Sequence, residues 1–180
     1  MTGEHSYALT TTWTGNRGTG TSGYRDYARD VEIEVAGKPV LLASADKPFR
    51  GDPGRWNPED LLLASLSECH LLSYLHACVE RGVVVTSYVD EAVGTMRQAG
   101  NGGRFERVTL RPRVTVADAS MVDDAIAAHH DAHEWCFIAS SVNFPVEHEA
   151  TVEVGEASGA PEVSDSAEAN GAAEASGAAG

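Results

Sequence analysis

The chain has 180 residues, 42% of them hydrophobic, enough for one domain with a sizeable core. Thirteen Lys and Arg stand against 27 Asp and Glu, a formal net charge of −14 that repels a phosphate backbone and argues against general nucleic-acid binding. No run approaches the ~18 apolar residues of a membrane span, the N-terminus MTGEHSYAL lacks a signal-peptide pattern, and three cysteines make no disulfide scaffold. The expected setting is the cytoplasm, with reduced thiols and no membrane partner.

In chain order, Tyr7, Leu9, Thr11 and Trp13 alternate with Ala8, Thr10 and Thr12, the pattern of a half-buried strand ending at the Gly15-Asn16 turn. Val31, Ile33 and Val35 repeat the alternation, and Gly37 turns the chain into Val40-Leu41-Leu42. Asn57 is placed to cap a helix, with Pro58 in the first turn and Glu59 and Asp60 at the positive end of the dipole. That helix runs through Leu61–Leu66, Leu71, Leu72, Leu75 and Val79 to Gly82 and, being apolar almost all round, is expected to be central and buried.

Residues 83–97 and 105–116 form a hairpin hinged on Gly100-Asn101-Gly102-Gly103. A second helix starts near Ser120, capped by Ser120 and Asp123, and runs to about His133. A last strand spans about 146–154. The pattern defines an α+β domain, residues 1–154, with antiparallel sheets packed around two helices. Residues 155–180 hold nine Ala, five Gly, four Ser and five acidic residues without Lys, Arg or aromatics, the composition of a disordered acidic tail.

Taken alone, each cysteine suits a small buried hydrophobe, Cys78 most of all. Cys69 lies mid-helix on the stripe Leu62, Leu66, Cys69, Ser73, His76, and Cys136 continues the stripe Val122, Ile126, His129, His133. Inward-facing cysteines on two packed helices permit a disulfide without fixing the separation it needs. His129, His133 and Cys136 are also metal-ligand types on one face, but no second Cys/His pair closes a four-ligand structural site. His70, His76 and His148 make no recognisable set, and His70 reads as a polar edge of the first helix. No glycosidase-like carboxylate pair, G-x-S-x-G or phosphate-cradling glycine loop occurs.

Two segments carry a resemblance. Phe49-Arg50-Gly51-Asp52-Pro53, then Asn57-Pro58-Glu59-Asp60 through Ser67-Glu68-Cys69-His70, resembles the signature of the OsmC/Ohr family of thiol peroxidases. Ala132-His133-Glu134-Trp135-Cys136-Phe137 through Ser141-Val142-Asn143-Phe144-Pro145-Val146 resembles the segment that holds that family's second cysteine. The similarity covers residues 7–154.

The resemblance implies an intertwined homodimer that reduces organic hydroperoxides, with Cys69 as the peroxidatic and Cys136 as the resolving cysteine. The implied reductant is a dithiol, a dihydrolipoyl protein or a thioredoxin-like protein, and no metal, haem or flavin cofactor is required. It also implies an Arg held by a Glu beside the thiol: Glu59 matches the Glu, and Arg50, before Arg17 or Arg29, is the expected Arg.

Such a cation is needed on physical grounds, because an apolar site raises a thiol pKa and the helix dipole fades after one turn. Ten residues on one straight helix separate Glu59 from Cys69 by about 15 Å. Either a long Arg spans that gap or Glu59 serves Cys69 of another subunit. Trp13, Phe49, Trp56, Phe137 and Phe144 flank the motifs and are candidates to line an apolar substrate pocket. The competing reading is the same fold used to bind a small molecule or protein without peroxide turnover.

Overall fold

The computed structural model describes residues 3–155; the expected acidic tail, apart from Gly155, lies outside them. Strands β1 (Thr10–Trp13), β2 (Val31–Glu34) and β3 (Leu41–Ala43) form an antiparallel sheet ordered β1-β2-β3. Helix α1 (Pro58–Glu80) follows. Then come β4 (Val85–Asp90), β5 (Val93–Ala99), β6 (Gly102–Leu110), β7 (Pro112–Val116), helix α2 (Val122–Trp135), β8 (Val146–His148) and β9 (Thr151–Val154).

The expected hairpin is present but broken. β5 and β6 pair around Gly100, whose φ of 62° suits a residue without a side chain. The two arms then part at Glu91-Ala92 and Arg111, so β4 and β7 pair in a separate sheet. The last strand likewise divides at Glu149-Ala150. β8 joins β6 and β9 joins β7, both in parallel, so these two sheets are mixed where antiparallel ones were expected.

The N-terminus of α1 forms as its sequence requires. Asn57 Oδ1 accepts the Asp60 N–H at 2.8 Å, and Pro58 occupies a first-turn position that needs no donor. At the other end Gly82 takes φ 71° and the chain leaves the helix. α1 is not buried all round, however. Leu66, His70, Tyr74, Ala77 and Cys78 face inward, whereas Leu72, Leu75 and Val79 are exposed. Contrary to the sequence expectation, α1 is also long and apolar enough to cross a membrane. Its packing against α2 and the presence of His70 on its inner face make it a core helix.

α2 is capped differently from the expectation. α2 itself starts after Met121 without a side-chain cap; Asp118 instead caps the 3-10 turn Ala119–Met121 that leads into it, accepting the Ser120 N–H and hydroxyl. The buried face of α2 is Ala125, Ala128, His129 and Ala132, while Ile126 of the expected stripe is exposed. Three alanines there let the helix axes approach closely. Tyr74, Ala77 and Cys78 pack against those alanines, Val114 and Val116 in one core. Leu66, Val108, Leu110 and Val146 form a second core. Arg81 ties the ends of the helices together, its Nε donating to Asp131 at 2.7 Å.

Candidate active site

The close helix packing sets the two motif cysteines side by side. Cys69 is half-buried in the middle of α1, and Cys136 is buried at the C-terminal cap of α2. Both are free thiols, and Cys69 is close enough to act on the Cys136 thiol. Burial, with a smaller contribution from the neighbouring Cys69 sulfur, pushes the Cys136 thiol up to about 11. Backbone N–H groups of the following turn act in the opposite sense, that of Ala139 donating to Cys136 Sγ at 3.4 Å. The turn is itself fixed, because the Ser140 N–H and hydroxyl both donate to the Cys136 carbonyl. Cys78, expected in the core, is there at 1% exposure.

The expected charged partners stand elsewhere in the chain. Glu59 lines a small cavity with Phe49, Met96 and Gln98, ten residues along α1 from Cys69. Arg50 is exposed, with φ 66°, and its guanidinium lies 5.8 Å from the Tyr24 ring. Arg29 is held most firmly. Its guanidinium donates to the carbonyls of Tyr27 and Tyr24 at 2.8 and 2.9 Å and lies over both rings, 4.1 and 4.4 Å from their centroids. Arg17 is exposed in the loop after β1. Among the described residues no hydrogen bond joins any of these arginines to Cys69 or Glu59.

The candidate aromatic lining is divided as well. Trp13 and Arg29 line an apolar cavity of about 600 Å³ formed by the first sheet and the start of α1, with Tyr27, Ile33, Pro58 and Leu61. Phe137 lines another, of about 650 Å³, with Leu72, Ser73, His76 and Trp135. Neither cysteine lines this second groove, but their chain neighbours do: Ser73 is one helical turn beyond Cys69, and Trp135 and Phe137 flank Cys136. Phe49 sits by Glu59, and Phe144 lines a separate hollow with His133 and Pro145. Trp56 is exposed, and its backbone bonds to Leu42 and Ser44.

A feature missing from the sequence reading lies behind the cysteines. His70, read as a polar helix edge, is 2% exposed, and His129 of α2 is 1% exposed. His70 Nε2 and His129 Nδ1 are 3.1 Å apart. His148 of β8 packs against both rings at 5.4 and 5.7 Å and against His133 at 5.9 Å. The i, i+4 pair His129 and His133 was visible in the sequence, but His70 and His148 join it only through folding. Among the described residues no three His, Cys, Asp or Glu side chains are placed to hold a metal, so His129, His133 and Cys136 do not form a ligand set.

An α+β domain thus sets two motif cysteines, one within α1 and one at the end of α2, next to each other. The comparisons with known proteins place it: residues 51–151 match the model of the OsmC-like protein family, and the chain belongs to that family. An OsmC-like protein of unknown function from Vibrio cholerae has 30% identity and a TM-score of 0.73, covering 82% of this chain and all of its own. The uncharacterized protein YmaD of Bacillus subtilis (strain 168) is 25% identical over 158 residues, 84% of this chain and 97% of its own. An organic hydroperoxide resistance protein from Elizabethkingia anophelis shares the fold at 18% identity and a TM-score of 0.58, over 84% of this chain and 99% of its own.

Proposed function

We propose that this protein is a cysteine-based peroxidase that reduces organic hydroperoxides. The proximity of Cys69 and Cys136, in a family with a member named for organic hydroperoxide resistance, carries this reading. Cys69 thiolate attacks the terminal oxygen of the hydroperoxide. The O–O bond breaks, the alkoxide takes a proton and leaves as an alcohol, and Cys69 becomes a sulfenic acid. Cys136 then attacks that sulfur, water leaves, and a disulfide forms. An external dithiol reduces it, attacking first at the more exposed Cys69. The apolar groove of Leu72, Trp135 and Phe137, lined by chain neighbours of both cysteines, suits a substrate with a hydrocarbon body.

The thiolate needs a cation, and among the described residues of one chain no arginine hydrogen-bonds to Cys69. A homodimer supplies one, from Arg50 or from the rigidly held Arg29 of the other subunit, with Glu59 assisting. The exposed apolar faces support it: Leu72, Leu75 and Val79 on α1, with Trp135 at the end of α2 and Phe137 just beyond it, present a surface that a monomer would leave in water. The experiment is a thiol count. One equivalent of cumene hydroperoxide removes two of the three titratable thiols from the wild type, leaving Cys78, and removes none from Cys69→Ser. A wild type that keeps all three thiols is instead a binding domain with this fold.

A further inference from the structure

The histidine cluster spans the same two helices as the thiols and has no part in the peroxide chemistry above. His70 directly follows Cys69 on α1; His129 and His133 lie on the last two turns of α2 before Cys136. The His70 and His129 rings are 5° from parallel with centroids 5.4 Å apart, so they meet edge to edge through the 3.1 Å nitrogen contact. The opposite nitrogen, His129 Nε2, is buried without a hydrogen-bond partner. An orphaned acceptor in a core is less costly than an orphaned N–H. The proton therefore sits on His129 Nδ1, which donates to His70 Nε2. Tyr74 stacks on the other face of His129, with centroids 3.9 Å apart.

This bond holds between neutral rings and survives one added proton, but not two, because two cationic rings would each turn an N–H toward the other. The titratable groups around it are His70, Tyr74 and Cys78 on α1, His129, His130 and His133 on α2, Tyr88 on β4 and His148 on β8. None is a carboxylate. The acids on and beside these elements are engaged elsewhere or exposed: Asp90 with Ser67 and the Arg111 N–H, Asp131 and Asp124 with Arg81, Glu134 with His130 and Glu149 with Arg111, while Glu68, Glu80, Asp123 and Glu147 are exposed. A proton arriving at the cluster meets other imidazoles and no counter-charge, and its repulsion acts across the α1–α2 seam.

We propose that the His70–His129 hydrogen bond, braced by His148, is a positioning device for the thiol pair: it fixes α1 against α2 so that Cys69 and Cys136 stay side by side, and protonation of both rings releases them. The proposal rests on the thiol pair and not on the peroxide reaction, so it is tested without peroxide.

The first experiment measures the Cys69–Cys136 disulfide against a dithiothreitol redox buffer at pH 7.5. His129→Leu removes the bond and lowers the protein's equilibrium constant for disulfide formation on the order of tenfold. His129→Asn, whose amide nitrogen can take the place of Nδ1, restores it to within about twofold. A folded His129→Leu protein with the wild-type constant overturns the proposal. The second uses only the wild type and holds even if that variant does not fold. Histidine resonances are titrated by NMR in the dithiol and disulfide forms. A disulfide that locks the helices together makes the cluster harder to protonate, by linkage, so the His70 and His129 titrations move about threefold in proton concentration toward acid. Superimposable titrations in the two forms overturn the proposal.

Discussion

His70 Nε2 lies 3.1 Å from His129 Nδ1, a contact between α1 and α2 made by two side chains that water barely reaches. Burial, reinforced by the neighbouring imidazoles, holds His70 down to about 4 and His129 to about 3. Both lie below the value of about 6.5 for an unfolded histidine, so the fold prefers the neutral form. The stability this preference supplies is complete above pH 6.5 and is lost as the pH falls toward 4 and 3. Between pH 7 and pH 4 a single such histidine removes about 3 kcal/mol, at about 1.4 kcal/mol per unit. Urea unfolding midpoints of the wild type should fall steeply across this range, and those of His129→Asn should fall less. Parallel pH profiles for the two proteins would contradict the assignment.

Gly51, inside the first motif, is fixed by close approach rather than by an unusual φ. A β-carbon there would collide with the Ala45 carbonyl, and the Gly51 N–H donates to the Asp46 carbonyl at 3.1 Å. Gly51→Ala is expected to cost about 2 kcal/mol or more, because two stretches of backbone must separate. Gly54→Ala is the control: its β-carbon would meet only the Asp52 side chain, at 3.3 Å. Thermal unfolding of the two variants decides the matter, with Gly54→Ala within about 0.5 kcal/mol of the wild type.

If one subunit activates the thiol of the other, two inactive chains should complement each other. Cys69→Ser retains Glu59 and the arginines, and Glu59→Ala retains the thiols. Co-refolded mixtures should recover up to about a quarter of the wild-type peroxidase activity, in proportion to the heterodimers that carry one intact site. Proven heterodimers that stay inactive would show that each subunit carries a self-contained site.

Much of the chain's local structure was written in short-range chemistry. The Asn57-Pro58 start of α1, its stop at Gly82 and the Gly100 hairpin each depend on residues within a few positions of one another. The errors share another cause. The break of the long hairpin at Arg111 and the parallel docking of β8 and β9 depend on which distant strand is available to pair. The burial expected for all of α1 failed because hydrophobicity reports what a face could cover, not whether one chain covers it. Leu72, Leu75 and Val79 remain exposed for that reason.

The same division runs through the site. The spacing of Asn57-Pro58-Glu59 to Cys69, and the Trp135-Cys136-Phe137 segment, marked the two thiols and the family from the sequence by itself, since a motif is a property of order along the chain. Only the tertiary structure decided that the two thiols are neighbours, that Arg29 is clamped between two tyrosines, and that His70, His129, His133 and His148 gather behind the cysteines. Those are distances between residues up to 78 positions apart, from His70 to His148, and the close approach of α1 to α2 over three alanines sets them.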